Sequence, residues 1–362
     1  MLIRQKQNNL SELCRRFGIS RKTAYKWLRR QAEQGQEGLA DRSRRPLNSP
    51  YRTKPMLEQQ IVALRQKHPA WGARKLRRRL QDQGNGILPA PSTFSAILRR
   101  RGLLTVAGEP VVRPWQRFER TQPNELWQMD FKGHVPCRDG RCHPLTVLDD
   151  HSRYALVLAA CPDERGTTVQ AVLTGTFRRH GLPWQMLMDN GSPWGDEGNA
   201  FTWFTVWLMR LGIQVSHGRP YHPQTQGKEE RFHRTLKAEL LGTELNWPLA
   251  QCQQPFDQWR HVYNHERPHE ALGLGVPARH YRLSARTFPE QLPAVEYGPD
   301  DQVRRVQKGG WISFHGRDHR LSKALYGQPV ALRATAQRDG HYTILFCRQI
   351  IGHLNLQQPP QP

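Results

Sequence analysis

An aspartate, Asp130, falls within the short apolar run LWQMDF at residues 126–131, where a buried strand would otherwise carry no charge. A carboxylate inside a sheet is costly unless a cation, a metal or a functional role compensates it, and a metal is the expected compensation here. A second acid, Asp189, ends the apolar run WQMLMD and is followed at once by the turn residues Asn190, Gly191, Ser192 and Pro193. Ligand sites in sheets with crossover helices collect at the carboxyl ends of strands, so this placement also points to a site. A third acid comes from the pair Glu229 and Glu230, at the start of the helical stretch GKEERFHRTLKAELL. There Glu230, His233, Arg234 and Lys237 share one helical face, while Phe232, Leu236 and Leu240 make the apolar stripe. Glu229 falls near that stripe, so Glu230 is the expected partner of the two aspartates, although neighbouring glutamates in a first turn are easily interchanged. Three carboxylates from two strands and a helix can hold two Mg²⁺ ions, which need no Ser, Tyr or Cys nucleophile beside them.

Those acids require a sheet with helices around it. Arg138, Asp139, Gly140 and Arg141 form a hairpin turn, and the following LTVLDDHSRYALVLAA alternates and then runs apolar, so three strands form a meander. Asp149 and Asp150 open the turn between the last two strands and read as Asx-turn residues rather than ligands. An amphipathic helix then stops at Gly181, the strand bearing Asp189 follows, residues 202–211 are helical and residues 212–216 form a short strand. Pro220 and Pro223 hold their segment out of a helix until Gly227, and a helix finishes near Tyr263. From Val303 onward, alternation with glycine turns predicts a small β-barrel.

The sequence before the acids is basic and helical. Residues 10–30 carry two short amphipathic helices broken at Gly18, a helix-turn-helix pattern, with Ser20 capping the second helix. Arg21, Lys22, Lys26, Arg29 and Arg30 face outward and would enter a major groove. A basic linker follows, in which Arg44 and Arg45 would track phosphates. Residues 56–105 predict a second helix-turn-helix unit, with Arg74 and Lys75 on its basic surface and Ser92 capping its third helix. The formal charge of +23, from 54 Lys and Arg against 31 Asp and Glu, indicates a polyanionic partner, and double-stranded DNA leads. Six scattered cysteines do not make a disulfide scaffold and fit a reducing cytoplasm. Cys137, Cys142, His134 and His143 flank the hairpin turn and are not expected to bind zinc. No run approaches the roughly 20 apolar residues of a membrane span.

The strings WQMDFKGH, LTVLDDHSRY, LMDNGSPWG, GRPYHPQTQGKEERFHRTLK and YNHERPHEAL resemble, in that order, the DDE insertion-sequence transposases, whose ribonuclease-H-like core is shared with retroviral integrases. The resemblance covers nearly the whole chain. It implies a multidomain protein: N-terminal all-α helix-turn-helix units at residues 1–33 and 56–105 with a linker at 34–55, a linker at 106–124, an α/β ribonuclease-H-like core with a mixed sheet at 125–283, a linker at 284–302 and a small β-barrel at 303–356. It implies Asp130, Asp189 and Glu230 as catalytic carboxylates and metal ligands for two Mg²⁺ ions, with Mn²⁺ able to substitute. His222, Asn190 and Lys237 would lie beside the acids, Asn190 positioning substrate, with Lys228 and Arg234 adding DNA contacts. Water would cut at the transposon ends, and the freed 3′-hydroxyls would attack target DNA. Joining two ends implies at least a dimer, acting in a prokaryotic cytoplasm at the nucleoid. Forty residues separate Asp189 from Glu230, more than in retroviral integrases. A DNA-binding regulator with an inactive core, or a plain ribonuclease-H-type nuclease, are the competing readings.

Overall fold

The computed structural model describes residues 9–41, 52–104, 119–195, 201–218, 227–242, 245–335 and 339–357; Arg44, Arg45 and His222 lie outside the described residues. The chain divides into two units, residues 1–54 and 55–362.

In the first unit, α1 (Leu10–Arg16) and α2 (Arg21–Gln34) meet at a turn where Gly18 takes a φ of +61°, a left-handed conformation that a side chain would strain. Asn9 caps α1 by accepting from the Ser11 N–H at 3.0 Å, and Ser20 caps α2 by accepting from the Thr23 N–H at 3.1 Å. Leu13, Cys14 and Ala24 are buried between the helices. Arg21, Lys22 and Lys26 are exposed, whereas Arg29 pairs along the helix with Glu33 at 2.8 Å and Arg30 lies over the Trp27 ring.

The second unit opens with α3 (Pro55–Lys67), α4 (Ala73–Asp82) and α5 (Pro91–Arg100), packed around Ile61, Trp71, Leu76, Phe94 and Ile97. Ser92 does not cap α5. Pro91, with its fixed φ, occupies the first helical position and Ala90 precedes it, so the helix begins earlier than the serine suggested. Arg74 is exposed on α4, but Lys75 is half-buried and Arg79 is bound to Glu266 at 2.6 Å.

Beyond these helices lies a mixed sheet. Strands β1 (Leu126–Phe131), β2 (Val135–Cys137), β3 (Gly140–Asp149), β4 (Ala155–Cys161), β5 (Gln185–Met188) and β6 (Gln214–His217) pair so that β4, β3, β1, β5 and β6 lie side by side, with β2 extending the hairpin onto β3. The β4–β3–β1 pairs are antiparallel and the β1–β5–β6 pairs parallel. Crossover helices α6 (Gly166–His180) and α7 (Trp203–Arg210) cover one face, where Trp127, Met129, Val147, Leu173, Phe177 and Phe204 form the core. Helices α8 (Gly227–Leu236) and α9 (Leu249–His265) cover the other, packing Phe232, Leu236, Phe256 and Tyr263 onto Leu148 and Leu158. Both faces are buried, which accounts for the apolar runs of the central strands.

The C-terminal strands do not close into the barrel expected from their alternation. Among the described residues, β7 (Gln302–Arg305), β10 (Pro329–Ala334), β11 (His341–Phe346) and β12 (Gln349–Asn355) form an open antiparallel sheet, and β8 (Trp311–Phe314) with β9 (Arg317–Arg320) a separate hairpin. Alternation reports one buried face and one exposed face, a property that open sheets share with barrels. Here the buried face, with Ile312, Phe314, Val330, Leu332 and Phe346, joins the hydrophobic core on the α6 and α7 side. Gln349 caps the β6 edge with two hydrogen bonds to Val215, at 2.9 Å each.

Phe177 has no exposed surface and stacks with Trp127 under α6. Phe177→Ala is expected to destabilise the second unit by about 3–5 kcal/mol, read as a lower urea midpoint.

Candidate functional site

The β1–β5 register sets the site. Leu126 lies opposite Gln185, Trp127 opposite Met186 and Gln128 opposite Leu187. Continuing that parallel register by two residues brings Asp130 opposite Asp189, on the same face of the sheet and at the carboxyl ends of adjacent strands. Alternation then places Met129 in the α6 and α7 core and Asp130 toward α8. The loop after β5 is fastened to β1 by Trp194, fully buried and stacked on Phe131 with ring centroids 5.6 Å apart. The Gly191 N–H donates to Asp189 Oδ1 at 3.1 Å, and Asn190 Nδ2 donates to the Gly218 carbonyl at 2.9 Å, tying the ends of β5 and β6 together. Gly195 closes the turn, and a Cβ there would stand 2.6 Å from the Asn190 carbonyl oxygen.

The carboxyl group of Asp130 is pushed up to about 7, first by burial and then by the like charge of Asp189, with Glu164 adding to the effect and Lys132 opposing it. Below it, Thr146, its partner across β1 and β3, donates its hydroxyl to the Asp130 carbonyl at 2.9 Å. The same hydroxyl lies 2.8 Å from His233 Nε2 and 3.2 Å from Glu229 Oε2. His233 Nδ1 stands 3.8 Å from Asp130 Oδ2.

Glu229, rather than Glu230, is therefore the α8 acid turned toward Asp130. It is 1% exposed, burial and the Asp130 charge raise its pKa well above the ordinary carboxylate range, and its Oε1 has no hydrogen-bond partner among the described residues. Glu230 stands exposed with Arg234 and Lys237 on the outer face. His233, which the periodicity assigned to that outer face, is buried, because Glu229, Phe232, His233 and Leu236 make the inward stripe. Glu229 falls near the stripe that the spacing predicts, and only His233 departs from its expected face. Lys228 also departs from the expected DNA contact, since its ammonium sits 2.5 Å from Asp150 Oδ1. Asp149 accepts from the Ser152 N–H, one residue farther on than in an Asx turn, and from the Asn124 N–H, each at 2.7 Å, and so braces the turn.

The donor set suits a divalent cation. Two carboxylates are held side by side against their own repulsion, and an unpartnered carboxylate oxygen is buried behind them. Among the described residues no three His, Cys, Asp or Glu side chains are gathered closely enough to hold a metal ion. The structure brings Asp130 and Asp189 together and leaves Glu230 outside that pair.

Known proteins match along the chain in the same order. The integrase core domain family matches residues 120–223, a second integrase core domain family matches residues 211–277, and homeodomain-like domains match residues 1–40 and 23–98. The C-terminal domain of IS481 family transposases matches residues 301–360. An uncharacterized 39.2 kDa protein of insertion element IS476 from Xanthomonas euvesicatoria is 26% identical over 250 residues, which span 67% of this chain and 69% of that protein. The chain thus carries matches to an integrase core, to homeodomain-like domains and to a transposase C-terminal domain, and is similar to insertion-sequence proteins. The Pro-Pol polyprotein of simian foamy virus type 3 is 30% identical over 153 residues, 40% of this chain but only 12% of the polyprotein. The HTLV-2 integrase catalytic core domain, solved in complex with magnesium, aligns over 45% of this chain and 99% of its own at 17% identity, with a TM-score of 0.34.

A raised carboxyl pKa has a stability consequence. Between about pH 4, the ordinary aspartate value, and about pH 7, the folded state holds a proton on Asp130 that the unfolded state releases. Stability therefore falls as pH rises through that window. Without divalent ions, the melting temperature of the wild-type chain is expected to drop from about pH 5 to pH 8, and Asp130→Asn should remove part of that drop; parallel curves for the two proteins would contradict the raised carboxyl.

Proposed function

We propose that the chain is a DNA transposase that binds the terminal inverted repeats of an insertion sequence, hydrolyses the 3′ ends and joins them to target DNA by two-metal-ion phosphoryl transfer. The observation that carries this reading is the register-matched pair Asp130 and Asp189, two acids kept adjacent at strand ends despite their repulsion. Asp130 and Asp189 would hold the ions, with Glu230 as third carboxylate. Glu230 is accessible to a DNA strand and shares its face with Arg234 and Lys237, which suit phosphate binding, whereas Glu229 is sealed from solvent. Bound Mg²⁺, or Mn²⁺ in its place, would activate the attacking oxygen and stabilise the leaving one. Asn190 would position substrate from the turn it braces, and His222 would bind phosphate.

In the first step water attacks phosphorus and the bond to the 3′ oxygen breaks, releasing a 3′-hydroxyl. In the second that hydroxyl attacks a target phosphodiester and displaces its 3′ oxygen. Arg21, Lys22 and Lys26 on α2 would read or grip the repeat, with Arg29, Arg30, Arg44, Arg45 and Arg74 binding further phosphates. Lys75 is a weaker candidate, since burial beside Arg267 pushes its ammonium down to about 8. Two ends joined in one event call for at least a dimer. The described residues contain no helix long and apolar enough to cross a membrane, and the chain would act in the cytoplasm at the nucleoid.

Terminal-repeat DNA incubated with purified protein and Mg²⁺ tests the chemistry. Nicking and joining are expected from the wild-type chain, while Asp130→Asn, Asp189→Asn and Glu230→Gln should each lose about 100-fold or more with DNA binding retained. Glu229→Gln should keep far more activity than Glu230→Gln; the reverse order would move the third ligand to Glu229, and full activity in all four would leave a DNA-binding regulator. Changing Arg21, Lys22 or Lys26 to Ala should weaken DNA binding and lower the salt dependence of log K by about 1 for each phosphate no longer neutralised.

A further inference from the structure

We propose that Lys228 and Asp150 are positioning residues of the site, a buried ion pair that pins the first turn of α8 to β1 at Gln128 and so fixes the orientation of that turn relative to Asp130. Asp150 follows β3 in the turn and has no exposed surface. It is a node for three elements. Its Oδ1 accepts from Lys228 Nζ at 2.5 Å and from Gln128 Nε2 at 2.7 Å, and its Oδ2 accepts from the Arg120 backbone N–H at 2.8 Å. Lys228 Nζ also donates to the Asp150 carbonyl at 3.1 Å. Gln128 lies two residues before Asp130 on the same face of β1, and Lys228 directly precedes Glu229 and Glu230. One carboxylate therefore joins the strand bearing one proposed ligand to the helix bearing another.

Elsewhere α8 is held by Phe232 and Leu236, whose apolar packing resists rotation of the helix only weakly, and by the single Thr146 hydroxyl that Glu229 and His233 share. A hydrogen-bonded ion pair is directional. An apolar pair of the same volume would hold the helix as firmly or more so, because two charges must otherwise be taken out of water. Without the pair the first turn of α8 is free to rotate about its axis, about 100° per residue, and Glu230, the proposed third ligand on that turn, is no longer held at one position relative to Asp130. Arg153, paired with Glu119 at 3.2 Å, also donates to the Asp150 carbonyl. These observations account for a lysine drawn inward at a position where a basic DNA-binding helix would present it.

The inference rests on the proposed metal chemistry, so its test has one readout that does not depend on turnover. The full chain and its Lys228→Met, Asp150→Asn and Lys228→Arg variants are compared for Mn²⁺ affinity by electron paramagnetic resonance, for Mg²⁺ dependence of terminal-repeat cleavage, for DNA affinity and for thermal unfolding. Lys228→Met and Asp150→Asn are expected to weaken Mn²⁺ binding and to raise the Mg²⁺ needed for half-maximal cleavage by about 10–100-fold, with DNA affinity and its salt dependence unchanged. Lys228→Arg, which keeps the charge, should recover part of the loss. Wild-type metal affinity in Lys228→Met overturns the inference, as does a loss of DNA affinity with a reduced salt slope, which would make Lys228 a phosphate-binding residue. Should the single variants fail to fold, the double variant lacking both charges decides: a folded protein with weakened Mn²⁺ binding supports positioning, whereas wild-type binding or failure to fold means that the pair is only structural. A wild-type chain that binds Mn²⁺ without cutting DNA defeats the functional reading alone, and one that binds no Mn²⁺ defeats both.

Discussion

Two carboxylates stand where their charges repel, because the parallel register of β1 and β5 leaves them no other place. Asp130 and Asp189 lie two residues beyond the last β1–β5 pair, and neither can turn away without breaking the alternation that buries Met129 on one side and Leu148 on the other. Burial first, and then the charge of Asp189, raise the Asp130 carboxyl to about 7. A sheet that only needed to be stable would carry apolar residues there. The surrounding structure answers to this constraint: a Trp194 anchor holds the loop after Asp189, Thr146 holds the Asp130 backbone, and His233 on α8 stands 3.8 Å from the Asp130 carboxylate.

The arrangement separates strength from chemistry. One face of the sheet is a continuous core in which α6, α7 and the C-terminal strands share their apolar residues. The other carries the acids beneath α8, with a smaller core farther along under α9. Charge is divided in the same manner. The exposed Arg21, Lys22 and Lys26 lie in the N-terminal unit, whereas many basic residues of the second unit are bound to neighbours, as Arg79 is to Glu266 and Lys228 is to Asp150. A formal charge of +23 therefore overstates the charge available at any one surface.

Much of this was legible in the residues. LWQMDF, the Asp139–Gly140 turn and WQMLMD each combine strand composition with an abrupt stop, and each forms the expected element. Ser20 caps α2 as its position before a helical run suggested. What could not be read were choices settled by tertiary packing. His233 lies on the inward stripe because α8 packs across the sheet, and a polar residue buried by a neighbouring element has no local signature. Lys228 is drawn inward by Asp150, a partner 78 residues away. The C-terminal alternation was a sound signal of strands, but whether strands close a barrel depends on pairing between the first and the last, to which period-two patterning is blind.

The central claim is that Asp130 and Asp189 form one cation site. Crystals grown with Mn²⁺ and measured for anomalous scattering test it most directly. The account predicts a strong anomalous peak between the two carboxylates, at ligand distances of about 2.1–2.3 Å. Density confined to other positions, or two aspartates whose oxygens diverge with no ion between them, would contradict it.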